Sequence, residues 1–290
     1  MPSQIRDRIL YVSDLDGTLL RRDGTLSDRS ASLLNGYIRR GLLFTVATAR
    51  SWNSAGPILS KLELTLPVIT YNGAFLVDPR SKKLQAASVF QPDAVRDACA
   101  QFQRAGIWPL VYAMQGGMET VSYPPTRHQS DGVAFYLCSR KGDRRLRPAA
   151  SVEGLFTGGV FYLTAIGTLK ELGGLADAFA ADRRFAVNFQ RDVYRPEEFW
   201  LEVMPAGAGK GERAALVKEF AGAERLVCFG DNLNDLSLFR TADESAAPQN
   251  AAAPVKAAAT HRIADCDQDA VAAFLAARYG AAKGDGGLIP

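Results

Sequence analysis

Ile9-Leu10-Tyr11-Val12-Ser13-Asp14-Leu15-Asp16-Gly17-Thr18-Leu19 is a short apolar run that stops abruptly on acidic residues and a glycine. The run reads as a buried strand, and the acidic segment after it as a loop at the strand's carboxyl end. Outward from it, Ser27-Asp28 opens a helical pattern that reaches about residue 40, where Gly41 closes it as glycines commonly do. Residues 42–47 form a second buried run. A helical pattern over 52–62 comes next, weakened by Pro57, because proline breaks a helix interior. Residues 67–70 are a third short strand. Strand, helix, strand, helix, strand predicts a parallel sheet with helices on its faces.

The same alternation resumes late in the chain. Helices are expected over 211–220 and 233–240, with an apolar strand over 225–229 between them. A weak strand at 245–247, an alanine-rich helix at 254–259, an edge strand at 262–264 and a last helix at 268–279 complete it. Residues 280–290 are glycine-rich and read as disordered. The middle differs. It holds helical patterns at 92–105 and 169–181 and strand candidates at 110–113, 133–137, 160–164 and 200–204, enriched in aromatic and β-branched residues. The expected fold is α/β, with a Rossmann-like parallel-sheet core at 1–81 and 203–290 and an inserted α+β domain at 82–202.

With 290 residues, 47% of them hydrophobic, the chain has enough apolar material for a sizeable core. A net charge of +3 is too mild to argue for a nucleic-acid surface. The densest basic run, 140–147, reads as a solvated loop, with an anion-attracting patch as the sharper alternative. Cys99, Cys138, Cys228 and Cys266 form no Cys-x-x-Cys and no zinc spacing; Cys138 and Cys228 sit in apolar runs and read as small buried hydrophobes. Residues 1–8 are polar with no signal-peptide core, and no stretch is long and apolar enough to span a bilayer. The expectation is a cytoplasmic protein with neither nucleic-acid nor membrane partner.

Ligands of open α/β sheets bind beyond the carboxyl ends of the strands. The predicted strands end there on Asp14 and Asp16, on Thr48-Ala49-Arg50, on Asn72-Gly73 and on Gly230-Asp231-Asn232-Leu233-Asn234-Asp235, while Lys210 opens a helix after a glycine-rich loop. Clustered carboxylates need a cation, and oxygen ligands without histidine or cysteine favour Mg²⁺. Asp14 and Asp231 are the natural direct ligands. A carboxylate such as Asp14 can attack phosphorus. Asp16, two residues on, can protonate the leaving alcohol and then deprotonate water. Thr48 and Lys210 would bind phosphoryl oxygens, with backbone amides from Leu15 through Gly17 to Thr18 cradling them.

Each piece also has a plainer reading. A lone Asp-x-Asp-Gly suits a turn or a calcium loop, but an EF-hand needs glutamate where Asp23 stands. Gly207-Ala208-Gly209-Lys210-Gly211 fails the phosphate-loop pattern, since Gly211 replaces Ser/Thr and Met204 occupies the first glycine position. Lys210 by itself is a surface lysine. Asp235 would cap the following helix or orient Lys210. His128 and His261 read as ordinary loop or surface residues.

Taken together and in this order, the segments resemble the haloacid dehalogenase superfamily, in its Cof-type or type IIB branch. Asp14 to Leu19 match its first motif, Thr48 its second, Lys210-Gly211 after Leu201-Glu202-Val203-Met204-Pro205 its third, and Gly230 to Asp235 its fourth; Asn72-Gly73-Ala74 matches the branch's Asn-Gly-Ala. The resemblance implies a core with an inserted cap domain after the second motif, and a Mg²⁺-dependent phosphatase of small phosphorylated metabolites, often sugar phosphates, working through an aspartyl-phosphate. It implies that Asp14 is the nucleophile and Asp16 the acid/base. Mg²⁺ would be held by Asp14, the Asp16 backbone carbonyl and Asp231. Thr48, Lys210 and Asn234 would contact the phosphoryl group or order the fourth-motif loop, and Arg50 and Asn72 would face the substrate. Ala49 stands where the branch has glycine. Pro248-Gln249-Asn250 stands where Met-Gly-Asn is common, which leaves the loop around Asn250 open. A phosphotransferase or mutase on the same scaffold, and a non-catalytic sugar-phosphate sensor, remain as alternatives. Substrate choice would lie in the inserted domain, where Arg127, His128, Arg140 and Tyr194 carry suitable groups.

Overall fold

The computed structural model describes residue 5 and residues 8–192 and 195–280. Tyr194 and the glycine-rich tail at 281–290 lie outside the described residues. The chain divides into two compact units, one running to Ala86 and resuming at Gly209, the other spanning Ala87–Ala208. The expected cut at 202/203 falls inside the strand Glu198–Pro205, which pairs along its length with Phe185–Arg191 and with Gly159–Thr168. A strand laddered on both sides cannot be split, so all of it stays with the second unit.

The first unit is built on a five-stranded parallel sheet ordered His261–Ile263, Glu244–Pro248, Arg225–Phe229, Ile9–Ser13, Leu43–Val46. The central strand Ile9–Ser13 is buried throughout, as a parallel strand covered on both faces must be. Its side chains alternate between two apolar layers. Tyr11, Phe44, Val227 and Phe229 pack on one face with Leu34 and Val271, and Leu10, Val12, Leu226 and Cys228 on the other with Val217 and Leu238. The helices Asp28–Arg39 and Trp52–Leu59 start where Ser27 and Ser51 accept hydrogen bonds from the amides of Ser30 and Ser54, the usual serine N-cap. Pro57 is accommodated, but its helix ends at Leu59 rather than near residue 62.

The third expected strand is a partial exception to the parallel pattern. Val68–Thr70 meets the main sheet through a single parallel bridge, Ala47 to Ile69. Its ladder is antiparallel, with Phe75–Val77, in a separate three-stranded sheet. The tight turn at Asn72-Gly73 folds the chain straight back on itself, which a parallel crossover would not allow.

The second unit is α+β, with a six-stranded sheet ordered Phe185–Arg191, Glu198–Pro205, Gly159–Thr168, Leu110–Gln115, Met118–Tyr123, Leu146–Pro148. Helices Pro92–Ala105 and Leu169–Ala180 contribute Phe102, Leu172 and Phe179 to one apolar cluster with Val111, Leu163 and Leu201 of the strands. The expected strand at 133–137 is instead the helix Asp131–Ser139. Its β-branched and aromatic residues argue for a strand, but Ser130 caps the Val133 amide and Gly132, Val133 and Tyr136 are buried at helical spacing. The Tyr136 hydroxyl meets that of Tyr112 at 2.7 Å. Tertiary packing outweighs local propensity here. Cys138, on this helix, is consequently exposed rather than buried, whereas Cys228 is buried as expected. The basic run is not a plain solvated loop either: Arg145 is partly buried between Asp143 and Glu119, and Arg140 lies over the Tyr136 ring. Among the described residues, no helix is long and apolar enough to cross a membrane.

Candidate active site

Asp14 stands at the carboxyl end of the central strand, where its amide donates to the Phe229 carbonyl at 2.9 Å and carries the ladder one residue further. The chain then closes a wide turn over Leu15–Leu19, with the Leu20 amide on the Leu15 carbonyl at 2.8 Å. Gly17 makes the turn possible twice over. Its φ is +72°, and a Cβ there would lie 2.5 Å from Oδ2 of Asp231. Thr18 Oγ1 donates to Asp231 Oδ1 at 2.9 Å. The first and fourth motifs thus touch directly.

Lys210 begins the helix Lys210–Phe220 and its side chain is fully buried. Gly211 admits the close approach, since a Cβ would collide with the Ser237 carbonyl of the helix Leu236–Thr241. Lys210 Nζ donates to Asp14 Oδ1 at 2.5 Å and to Asp235 Oδ1 at 2.7 Å. Asp235 uses its other oxygen to accept the amides of Asp231 and Asn232 at 3.0 and 3.1 Å. It therefore both caps its turn and orients Lys210. The surface reading of Lys210 does not hold.

Ligand oxygens of Asp14, Asp231 and Asp235 lie within 4.8 Å of one another. Three carboxylates around one ammonium leave an excess of buried negative charge. Burial raises the Asp14 carboxyl well above the usual range, with Asp235, Asp231 and Asp16 adding and Lys210 opposing. Burial, then Asp235, pushes Asp231 up to about 7 against the Thr18 hydrogen bond and Lys210. Burial lowers the Lys210 ammonium, but Asp14 and Asp235 outweigh it and hold the group above its ordinary value. The all-oxygen donor set suits a hard divalent cation, and because both Asp235 oxygens are already bonded, Asp14 and Asp231 are the carboxylates left to hold one.

Around this cluster stand the remaining expected residues. Thr48 is buried, and its hydroxyl accepts the Arg50 amide at 3.1 Å, which leaves its own O–H to donate. Asn72 is buried in the left-handed region at φ +52°, with its amide on the Thr48 carbonyl at 2.9 Å. Its Oδ1 accepts from Asn234 Nδ2 at 3.0 Å. Asn234 Oδ1 is buried without a partner among the described residues, the kind of unmet group that a ligand satisfies. Asp16 is half exposed, and Arg50 grips both its oxygens, Nε at 2.7 Å and Nη2 at 2.6 Å.

Two contributors stand outside the expected site residues. Arg213, one helical turn after Lys210 and buried, donates through Nε to the Gly73 carbonyl at 2.8 Å and so braces the Asn72 turn. A charged residue at i+3 from Lys210 on the same helix face was the available signal. Asn250 reaches the first motif itself, donating to the Gly17 carbonyl at 2.7 Å. A second acidic group, Asp265 and Asp267, is already neutralised by Arg22 at 2.6 Å to each.

Residues 11–275 match the family described as haloacid dehalogenase-like hydrolase. An HMP-PP phosphatase of Serratia proteamaculans is 28% identical over 92% of this chain and 93% of its own length. A pyridoxal phosphate phosphatase of Escherichia coli is 26% identical over 90% and 95%. Among solved structures, a haloacid dehalogenase subclass IIB sugar phosphatase matches with a TM-score of 0.73 at 20% identity, over 93% of this chain and 98% of that one; at that identity the likeness speaks for the fold. The chain belongs to the haloacid dehalogenase-like hydrolase family, in its Cof-type branch.

Proposed function

We propose that the protein is a Mg²⁺-dependent phosphatase that hydrolyses a small phosphorylated metabolite, a sugar phosphate or similar monoester, with Asp14 as nucleophile. The observation that carries this reading is the buried Asp14–Lys210–Asp235 chain set against Asp231, an excess of carboxylate that folding alone has no reason to retain. The relatives' phosphatase names agree with it. Bound Mg²⁺, held by Asp14, Asp231 and the Asp16 carbonyl, would screen the repulsion between an anionic phosphate and an anionic nucleophile.

The chain's own residues supply the rest. An Asp14 oxygen attacks phosphorus while the bond to the leaving oxygen breaks, and protonated Asp16 gives its proton to that oxygen. Asp16, now ionised, takes a proton from water as the water oxygen attacks the same phosphorus. The bond to Asp14 breaks, and phosphate leaves. Lys210 orients Asp14, and Thr48, with the amides of the Leu15–Leu19 turn, stabilises charge growing on the phosphoryl oxygens. Asn234, held by Asn72, borders the same group. For Asp16 to exchange protons, Arg50 must release at least one of its oxygens. A substrate anion drawing Arg50 away does that, which gives Arg50 a place in binding and in timing. The unit Ala87–Ala208 is assigned the cap role and the choice of substrate.

Release of phosphate from p-nitrophenyl phosphate, with Mg²⁺ and again with EDTA, tests the chemistry, and a phosphometabolite panel tests the substrate class. No turnover on the panel with Mg²⁺ present would sink the reading. Transfer to a sugar acceptor without free phosphate would redirect it to a transferase.

A further inference from the structure

The loop Pro248-Gln249-Asn250 is tied at both ends. Pro248 ends the strand Glu244–Pro248 opposite Ile263. The Ala251 amide closes the turn on the Pro248 carbonyl at 2.9 Å, and the Gln249 amide reaches the Ala264 carbonyl at 3.3 Å. Proline at a strand's last residue costs the sheet little. The turn then delivers the Asn250 side chain toward the acidic cluster without touching any carboxylate.

Both ends of the Asn250 amide are used. Nδ2 donates to the Gly17 carbonyl at 2.7 Å, and Oδ1 accepts the Cys266 amide at 3.0 Å. Because one partner is a carbonyl and the other an N–H, the amide's orientation is decided. Two residues on, the Ala252 amide donates to the backbone carbonyl of Asp231 at 2.8 Å. One short loop therefore grips the first-motif turn at Gly17 and the fourth motif at Asp231. These are the two segments that meet where Gly17 has no room for a Cβ against Asp231.

We propose that Asn250 is a positioning residue that sets the spacing between the Asp14–Leu19 turn and Asp231, and through it the affinity of the cluster for a divalent cation. This rests on the functional reading above. The physical reason is that a cation held by groups on two separate segments is bound only as tightly as their separation is held. Asn250 is the side-chain link from the third segment that fixes the first of them. Residues that orient ligands in this way typically cost about 10–100-fold in metal affinity when removed.

The test is calorimetric titration of Mg²⁺ into the purified full chain without substrate, for the native protein and three variants. Asn250→Ala removes both bonds. Asn250→Leu keeps the side-chain volume and the charge balance but makes neither bond, so it guards against a simple cavity or folding failure. Asn35→Ala is the control. Asn35 makes the same two-ended clamp in the same unit, to the Lys61 carbonyl at 2.9 Å and from the Glu63 amide at 2.8 Å, away from the acidic cluster. Both Asn250 variants should raise the Mg²⁺ dissociation constant by about 10–100-fold. At saturating Mg²⁺ the KM for p-nitrophenyl phosphate should stay near native. Asn35→Ala should leave Mg²⁺ affinity unchanged. Native-like Mg²⁺ affinity in both Asn250 variants, or an equal loss in Asn35→Ala, overturns the inference and leaves the phosphatase reading standing. Failure of the native protein to bind Mg²⁺ overturns both.

Discussion

Two carboxylate clusters in the same unit have opposite charge balance. Around Lys210, the carboxylates of Asp14, Asp231 and Asp235 outnumber the one ammonium, and Asp14 and Asp231 are pushed up. Around Glu244, the cations outnumber the carboxylate. The guanidinium groups of Arg225 and Arg278 approach at 2.5 and 3.1 Å, and His261 Nε2 hydrogen-bonds to the same carboxylate at 2.9 Å. Hydrogen bonds from Arg278 first, then His261, hold the Glu244 carboxyl down at about 2 against partial burial. The second cluster ties the edge of the sheet to the last helix and is satisfied as it stands. The first is satisfied only when something positive arrives. A structure keeps such a deficit at a site of function, because stability alone would select against it.

Asp14→Asn puts the contrast under the most severe strain. Phosphate release from p-nitrophenyl phosphate should fall by at least about four orders of magnitude, since nucleophile removal in enzymes of this logic costs that much or more. Retained turnover would move the nucleophile elsewhere. Next is Lys210→Met, which leaves Asp14 and Asp235 buried without their ammonium. Breaking a buried pair from one side costs about 3–5 kcal/mol, read as a lowered denaturation midpoint, and an unchanged midpoint would show that the cluster is not strained.

A third test uses pH. The Asp231 carboxyl sits at about 7, above its ordinary value of 3.8. Its contribution to stability is therefore fully present below the ordinary value and is lost as pH rises through about 7. Metal-free protein should lose thermal stability over that interval, Asp231→Asn should remove much of the slope, and Mg²⁺ should cancel it in the native chain while binding more tightly as pH rises. A flat metal-free profile would count against the charge excess. The smallest effect belongs to the satisfied cluster. Glu244→Gln should cost no more than about 1 kcal/mol at neutral pH, as for partly exposed pairs, and should leave kcat untouched. The native contribution should persist above the ordinary carboxyl value of 4.5 and disappear as pH falls through about 2.

The legible part of the site was the part at element ends. Asp14, Thr48 and Asp231 each follow an apolar run, and Lys210 opens a helix, so periodicity alone marked them as neighbours on one rim. The roles of Arg213 and Asn250 were not legible, because each acts on a backbone carbonyl far away in sequence, and a carbonyl has no letter. The fork between Arg50 and Asp16 was hidden for a related reason: both residues were visible, but their pairing depends on how two loops lie side by side. The helix Asp131–Ser139 reads as a strand because its residues favour strands, and only its packed partners, Tyr112 among them, reveal the helical spacing.

Residue order alone carries the alternating parallel core, the insertion, and the acidic and basic groups gathered at the strand ends. Strand burial and turn chemistry are local and leave their mark in the letters. Three-dimensional packing was needed to show that Lys210 is spent on Asp14 and Asp235, that Asp16 is held by Arg50, and that Gly17 rests against Asp231 under the grip of Asn250. Those are distances between segments that the chain brings together from more than two hundred residues apart in the case of Gly17 and Asn250, and no local propensity encodes them.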